Sequence, residues 1–216
     1  MRRVSRRGWA ISLALSIVAG YVDGIGFIET GGFFVSFMSG NSTQAGVELS
    51  AGEGVRALFP LFLVAAFVLG VALAAAVVGE RPRRRAAAVG GAALAVGLCA
   101  VWGASAPGVL WRFGPLALAM GALNTLYLAE GRARVAVTYA TGTLVSLGLA
   151  LAALVTGRSR TAWRRPFFLW GSLAGGAVIG AFVHRFWGGG ALVVAASALA
   201  VLAVVVATVG GTEQNA

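Results

Sequence analysis

The stretch Gly20–Leu49 reads GYVDGIGFIETGGFFVSFMSGNSTQAGVEL and holds the only Asp of the chain, Asp23. It passes from an apolar run through a pair of glycines into a cluster of small polar residues. About a hundred residues later, Gly121–Leu151 repeats this order as GALNTLYLAEGRARVAVTYATGTLVSLGLAL. Glycines interrupt regular structure, and polar residues inside apolar runs are typical of the interior of membrane proteins. We therefore interpret the two stretches as paired broken elements at the centre of a membrane protein.

The composition is that of a protein embedded in lipid. The chain has 216 residues, of which 59% are hydrophobic and only 11% are charged, whereas soluble domains carry about 25% charged residues. A helix satisfies its own backbone hydrogen bonds in lipid, and the alternating polarity of a membrane β-barrel is absent. We predict an all-α polytopic membrane protein. Its eight apolar segments are 9–28, 33–49, 57–79, 86–106, 114–129, 135–155, 166–183 and 191–209.

The positions of the basic residues decide how many segments cross the membrane. All 17 basic residues are Arg, and the net charge is +10. Eight crossings from a cytoplasmic N-terminus would leave ten Arg inside and seven outside; if segments 33–49 and 135–155 dip in and return, fourteen lie inside and three outside. Positive charge accumulates on the cytoplasmic side. We therefore predict six transmembrane helices plus two re-entrant segments, in the bacterial inner membrane, with both termini cytoplasmic.

The charge pattern also bears on binding partners. The Arg residues cluster in short runs between apolar segments, which suits anionic lipid headgroups. No basic soluble region is present that could bind nucleic acid, so we expect none to bind. The sequence leaves the oligomeric state open, a homo-oligomer included.

An internal repeat supports the same topology. Gly20 and Asp23 align with Gly121 and Asn124, and the hydroxyl-rich triplets that follow also align. Further matches are Ser39-Gly40-Asn41 with Thr141-Gly142-Thr143, Gly46 and Leu49 with Gly148 and Leu151, Pro60 with Pro166, and Gly70 with Gly176. We predict one membrane domain, 1–216, with repeat halves at about 9–106 and 114–210. Each half has three spans, an odd number, so the halves must be inverted (3+3), as in many secondary transporters.

Two motifs carry a family resemblance. The patterns G-Y-V-D…F-F-V-S-F-M-S-G-N, beginning at Gly20, and M-G-A-L-N…V-T-Y-A-T-G-T-L, beginning at Met120, resemble the YoaK-type family of bacterial inner-membrane proteins. The resemblance covers nearly the whole chain. Ser39 stands where that family more usually has Thr, and Leu123 where it usually has Gln. The resemblance implies a six-span membrane protein of unassigned function.

Asp23 is the most informative single residue. It lies about 7–8 Å inside the end of the first span, at 1.5 Å of rise per residue. A carboxylate at such a depth costs about 2.5–3.5 kcal/mol or more, so Asp23 should face the protein interior and have a partner. Two interpretations stay open: a proton- or cation-coupling charge, or a structural carboxylate that braces the re-entrant segment. Its repeat partner Asn124 cannot ionise.

The two polar clusters that follow are the second candidate feature. Glycine permits a backbone break, and Ser, Asn and Thr are strong helix N-caps. Helices that restart at Asn41 and Thr143 would point free N–H groups toward the middle of the membrane, where they could bind an anionic group. The alternative is that the small residues serve only close helix packing.

We therefore predict a small-solute transporter or channel whose path runs between the two re-entrant segments, with Asp23 as the coupling or gating charge. The predicted path residues are Asp23, Ser39, Gly40, Asn41, Ser42, Thr43, Asn124, Thr141, Gly142 and Thr143. The alternative is a membrane scaffold or assembly protein that transports nothing. With one His, one Cys and one Asp, the chain lacks the residues of an enzyme, and we expect no cofactor or metal. The identity and charge of the solute stay open.

Overall fold

The computed structural model describes residues 6–78, 82–102, 109–126, 128–129, 132–133 and 138–212. Within these ranges the chain forms eight α-helices, one to each predicted apolar segment, which confirms the predicted helical class. The helices are α1 (Arg6–Thr30), α2 (Met38–Ser50), α3 (Gly54–Val78), α4 (Pro82–Trp102), α5 (Val109–Leu123), α6 (Ala140–Val155), α7 (Arg164–Trp187) and α8 (Leu192–Thr212). A 3₁₀ turn, Gly188–Ala191, joins α7 to α8, and two-residue strands, β1 (Leu128–Ala129) and β2 (Arg132–Ala133), form a small antiparallel hairpin.

Four helical stretches are long and apolar enough to cross a membrane. They are Arg6–Thr30, Gly54–Val78, Arg83–Trp102 and the 45-residue Arg164–Thr208, which contains α7 and most of α8. Helices α5 and α6 are apolar but shorter. Large apolar side chains on the surface, such as Val178 (69% exposed) and Leu149 (70%), suit a lipid environment rather than water. The chain is thus a multi-pass membrane protein.

Helix α5 ends earlier than the sequence predicts. The predicted span ran to Ala129, but the helix stops at Leu123. The Asn124 side-chain amide donates to the Met120 carbonyl (2.9 Å), and the Thr125 hydroxyl donates to the Ala122 carbonyl (2.8 Å). Such local bonds compete with continuation of the helix. Much of the charged loop predicted at 130–134 lies outside the described residues.

Helices α1 and α7 run parallel and in very close contact. A Cβ atom added to Gly20 would collide with the Leu173 carbonyl, and one added to Gly176 would collide with the Ile17 carbonyl. Where both helices begin, the Arg165 guanidinium lies 5.4 Å from the centre of the Trp9 ring. Glycine at these positions lets the two backbones approach, which strengthens van der Waals packing in lipid.

Helices α3 and α5 form a second parallel pair with the same kind of contact. A Cβ atom on Gly70 would collide with the Leu118 carbonyl, and one on Gly121 with the Phe67 carbonyl. By the predicted alignment, these are the counterparts of the α1–α7 contacts.

The remaining contacts fix the helix directions. Helix α4 lies antiparallel to α8, with Gly90 nearest Ala203 and Gly97 nearest Ala196. The Arg112 carbonyl places the beginning of α5 beside Cys99, near the end of α4, and Arg112 pairs with Glu29 near the end of α1. Thus α1, α4 and α7 run in one direction and α3, α5 and α8 in the other. We call the end at which α1 begins the proximal end, and the opposite end the distal end.

The core between these helices is apolar. It is made mainly by α1, α4, α5 and α8, and its largest fully buried members are Phe113, Leu15, Ile25, Leu63, Leu116, Met120, Leu123, Leu192 and Leu199. This cluster holds the two parallel pairs together through the antiparallel α4–α8 contact.

Candidate functional site

The chain reverses direction after α1. Gly31 and Gly32 have φ angles of 72° and 130°, in the left-handed region that glycine adopts without steric cost. The Thr30 hydroxyl accepts a hydrogen bond from the Phe33 N–H (2.9 Å). Residues 31–37, which we call the return segment, then run back along α1 before α2 begins.

Asp23 anchors the return segment. Its Oδ1 accepts hydrogen bonds from the N–H groups of Val35 and Ser36, both at 2.7 Å, and its Oδ2 accepts one from the Ser36 hydroxyl at 2.5 Å. The residue is 9% exposed. Hydrogen bonds to an ionised acceptor are roughly twice as strong as neutral ones. Both oxygens of the buried Asp23 carboxylate therefore have hydrogen-bond partners, and the return segment supplies them.

Asn41 fixes the same segment from the other side. Its Oδ1 accepts from the Phe34 N–H (2.9 Å), and its Nδ2 donates to the Phe34 carbonyl (2.6 Å). The prediction that a helix restarts at Asn41 was wrong: α2 begins at Met38, with Phe37 as its N-cap residue. Asn41 is the fourth residue of α2 and therefore does not occupy the N-cap position, and its amide binds Phe34 instead.

In the predicted second half, Asn124 makes a similar contact without a charge. The Asn124 Oδ1 accepts from the Thr138 N–H (3.3 Å), and its Nδ2 donates to the Thr138 hydroxyl (3.1 Å). The predicted start at Thr143 was also wrong, because α6 begins at Ala140 with Tyr139 as its N-cap residue. Asn124 thus binds Thr138, two residues before α6 begins, as Asp23 binds Ser36, two residues before α2 begins.

Gly40 and Gly142 do not break the backbone as predicted; they make room for the aromatic rings of Phe37 and Tyr139. Each lies in the first turn of its helix, against the ring of the N-cap residue three positions earlier. A Cβ atom on Gly40 would meet the Phe37 ring at 2.7 Å, and one on Gly142 would collide with the Tyr139 ring. Only glycine leaves room for these rings. The aromatic-x-x-Gly spacing is a sequence signal that could have identified them.

Three of the five predicted path hydroxyls are hydrogen-bonded within their own helices. Ser42 donates to the Met38 carbonyl (2.8 Å), Thr43 to the Ser39 carbonyl (3.0 Å) and Thr143 to the Tyr139 carbonyl (2.8 Å). Ser39, Ser42, Thr43 and Thr141 are exposed. Helix α2 packs mainly on α3 and α6 mainly on α7, and no extensive packing joins the described parts of α2 and α6. Among the described residues, no hydrogen bond joins the two hydroxyl clusters.

A cluster of ionisable residues at the distal end was missed by the sequence reasoning. The Arg112 guanidinium pairs with the Glu29 carboxylate at 2.6 Å, and His184 Nε2 lies 3.0 Å from the other Glu29 oxygen. All three side chains are only 13–17% exposed. They join α1, α5 and α7. These residues are far apart in the sequence and follow no shared motif, so no local pattern indicates that they meet.

Together, the long apolar helices and the two short helices α2 and α6, whose preceding segments are braced by polar side chains, define a multi-pass α-helical membrane protein. The chain belongs to the family described as a protein of unknown function (DUF1275), whose model matches residues 11–205. It is also 36% identical over 184 residues to the UPF0700 transmembrane protein RA0705 of Rhizobium meliloti, a match that covers 85% of this chain and 79% of that protein. No solved structure matches. The predicted membership of a membrane family of unassigned function is confirmed.

Proposed function

We propose that this protein moves a small solute or ion across the bacterial inner membrane. The path is flanked by the two interrupted helices, and Asp23 is its gating or coupling charge. One observation carries the proposal. A buried carboxylate holds the return segment in the first half, whereas the uncharged Asn124 occupies the matching place in the second half.

The paired contacts support an inverted repeat. The α1–α7 and α3–α5 pairs use aligned glycines, Gly176 with Gly70 and Gly20 with Gly121, against backbone carbonyls. The six alternating helices α1, α3, α4, α5, α7 and α8 are the proposed spans, and α2 and α6 are the proposed re-entrant helices. Inverted repeats with interrupted helices at matching positions are a recurrent plan of secondary transporters.

The charge distribution supports a cytoplasmic position for both termini. The described acidic residues are Asp23, Glu29, Glu48 and Glu53, and none lies at the proximal end. Most of the described Arg residues lie there, at the beginnings of α1, α4 and α7 and in the loop before α7: Arg6, Arg7, Arg83, Arg84, Arg85, Arg158, Arg160, Arg164 and Arg165. By the positive-inside rule the proximal end faces the cytoplasm.

The geometry gives Asp23 a means of gating. An ionised carboxylate only accepts hydrogen bonds, but a protonated one carries an O–H group that must donate. Protonation of Asp23 removes the charge assistance from its bonds to Val35 and Ser36 and loosens the return segment. The second half keeps its Asn124 contact at any pH, so only the first half responds to the proton.

The test uses Asp23→Asn, which imitates Asn124 and keeps an acceptor for both backbone N–H groups. Purified protein is reconstituted in vesicles with an entrapped pH-sensitive dye, and proton movement is followed while amino acids and inorganic ions are offered in turn. We expect wild type to show proton-linked uptake and Asp23→Asn to lose it while remaining folded. The control is Thr208→Val, which removes a hydroxyl bonded within α8. Uptake by Asp23→Asn at the wild-type rate would exclude Asp23 from the mechanism.

A membrane scaffold is the second candidate, and one observation favours it. The hydroxyls of Ser42, Thr43 and Thr143 are bonded to their own helices, and the core beside them is apolar. In the same assay, a scaffold gives no uptake above empty vesicles for wild type and both variants.

A further inference from the structure

An apolar groove opens on the surface of α7 beside α1. It has a volume of about 230 Å³ and is lined by Ile17, Phe167, Phe168, Gly171, Ser172, Gly175, Gly176 and Ile179. Gly171 and Gly175 lie one helical turn apart, and a Cβ atom added to either would have no atom within 4 Å. The groove is therefore open because these two glycines leave space that no part of the described chain fills.

The length of the groove matches one leaflet of a membrane. From Phe167 to Ile179 the helix rises about 18 Å at 1.5 Å per residue. Half of a hydrocarbon core of roughly 30 Å is about 15 Å. The groove thus extends from the proximal membrane surface to about the middle of the bilayer, as the acyl chain of a lipid in that leaflet does.

The proximal mouth of the groove is positively charged. Arg164 and Arg165 are exposed in the turn before Phe167, and Arg165 stacks on Trp9 of α1. Exposed Arg6 and Arg7 lie at the beginning of α1. No acidic side chain of the described residues lies at this end. Basic pockets between membrane helices on the cytoplasmic side bind anionic lipid headgroups.

We propose that this groove is a binding site for one anionic phospholipid. The headgroup phosphate pairs with Arg164 and Arg165, and an acyl chain lies along Gly171 and Gly175 between the walls formed by Phe168 and Ile17. Charge complementarity at the mouth and the one-leaflet length favour a lipid over a second copy of the chain, whose helix would continue past the middle of the membrane. The proposal does not depend on solute movement.

The test measures lipid that stays bound after extraction. Protein is reconstituted in vesicles of equal parts phosphatidylglycerol and phosphatidylcholine and extracted in mild detergent, and bound lipid is counted by native mass spectrometry. We expect one phosphatidylglycerol per wild-type chain, held about fivefold more weakly for each Arg changed in Arg164→Gln and Arg165→Gln. The double variant Gly171→Leu/Gly175→Leu fills the groove and should abolish retention.

Matched controls lie elsewhere on the bundle. Gly91 of α4 is exposed and also has no atom within 4 Å of an added Cβ, so Gly91→Leu should retain the lipid. Arg83→Gln/Arg84→Gln removes equal charge at the proximal end, at the beginning of α4, and should also retain the lipid. Helical content and elution volume show that each variant is folded.

Three outcomes would overturn the proposal. One is equal retention of phosphatidylcholine and phosphatidylglycerol by wild type. Another is unchanged retention by folded Gly171→Leu/Gly175→Leu. The third is a wild-type dimer that this variant converts to monomers, which would assign the groove to a second copy of the chain.

Discussion

At the scale of single residues, Asp23 and Asn41 bind the same seven-residue segment from two sides. Asp23 holds Val35 and Ser36, and Asn41 holds both backbone polar groups of Phe34. A buried backbone N–H or carbonyl without a partner costs free energy comparable to a lost hydrogen bond. Because residues 31–37 form neither helix nor sheet, side chains must supply the bonds that regular structure provides elsewhere.

We predict that Asn41→Ala strongly destabilises the fold. Both polar groups of Phe34 lose their partner, at about 1–3 kcal/mol each, so the free energy of unfolding should fall by about 2–6 kcal/mol. The measurement is equilibrium unfolding in mixed detergent micelles, followed by circular dichroism.

Ser42→Ala is the control for this prediction. Ser42 is exposed and bonded within its own helix, so its loss should change the unfolding free energy by less than about 0.5 kcal/mol. Equal losses for the two variants would show that the Asn41–Phe34 bonds do not hold the segment.

These contacts mark what the sequence could and could not predict at this scale. A lone Asp in an apolar span predicts a buried partner, and the structure supplies one. The partner itself, Ser36, was not predictable, because the return segment has no periodic pattern that fixes which backbone group faces α1. The starts of α2 and α6 were missed for a related reason: aromatic residues, Phe37 and Tyr139, occupy the N-cap positions that a hydroxyl or amide was expected to take.

At the scale of helices, α7 carries two pairs of glycines, one packed against α1 and the other bordering open space. Gly176 and Gly180 face α1, where an added Cβ would collide with the carbonyls of Ile17 and Tyr21. Gly171 and Gly175 have the same four-residue spacing but border open space. The four-residue glycine spacing therefore predicts that another helix packs closely on α7, but it does not tell which glycine pair makes the contact. Only the tertiary arrangement decides which side of α7 meets α1.

A pair of adjacent substitutions tests this difference. Gly176→Val forces a side chain against the Ile17 backbone and should lower the unfolding free energy by about 1–3 kcal/mol or more. Gly175→Val makes the same chemical change one residue earlier, into open space, and should be nearly neutral. Thermal unfolding of both in the same detergent gives the comparison. A larger loss for Gly175→Val would contradict the α1–α7 contact.

At the scale of the whole molecule, the sequence predicted the order and class of the elements well. Each of the eight apolar segments contains a helix, because lipid leaves the backbone few other choices. The contacts between helices that are far apart in the sequence could not be predicted from it. Glu29, Arg112 and His184 meet only because α1, α5 and α7 come together at the distal end, and nothing local to any of them indicates the others.

We predict that single cysteines will report six crossings. In a Cys99→Ala background, cysteines at Arg84 and Arg158 should react with a membrane-impermeant maleimide only in inside-out vesicles, because both positions lie at the proximal end. A cysteine at Val55, which is 82% exposed at the distal end, should react in intact cells. If all eight helices crossed, Arg84 and Arg158 would lie on opposite faces, and their opposite labelling would refute the re-entrant arrangement.

The close packing of α1 on α7, which lies far along the chain, has a consequence for biosynthesis. The ribosome delivers α1 long before its neighbour, since about 130 residues separate Thr30 from Arg164. At roughly 5–20 residues per second, the first helix waits about 6–30 s with its glycine face uncovered. The α3–α5 pair closes much sooner. Nascent chains should therefore pass through a stage in which α3 and α5 are already packed together but α1 still lacks its partner α7. At that stage an insertase or a lipid could bind the exposed glycine face of α1.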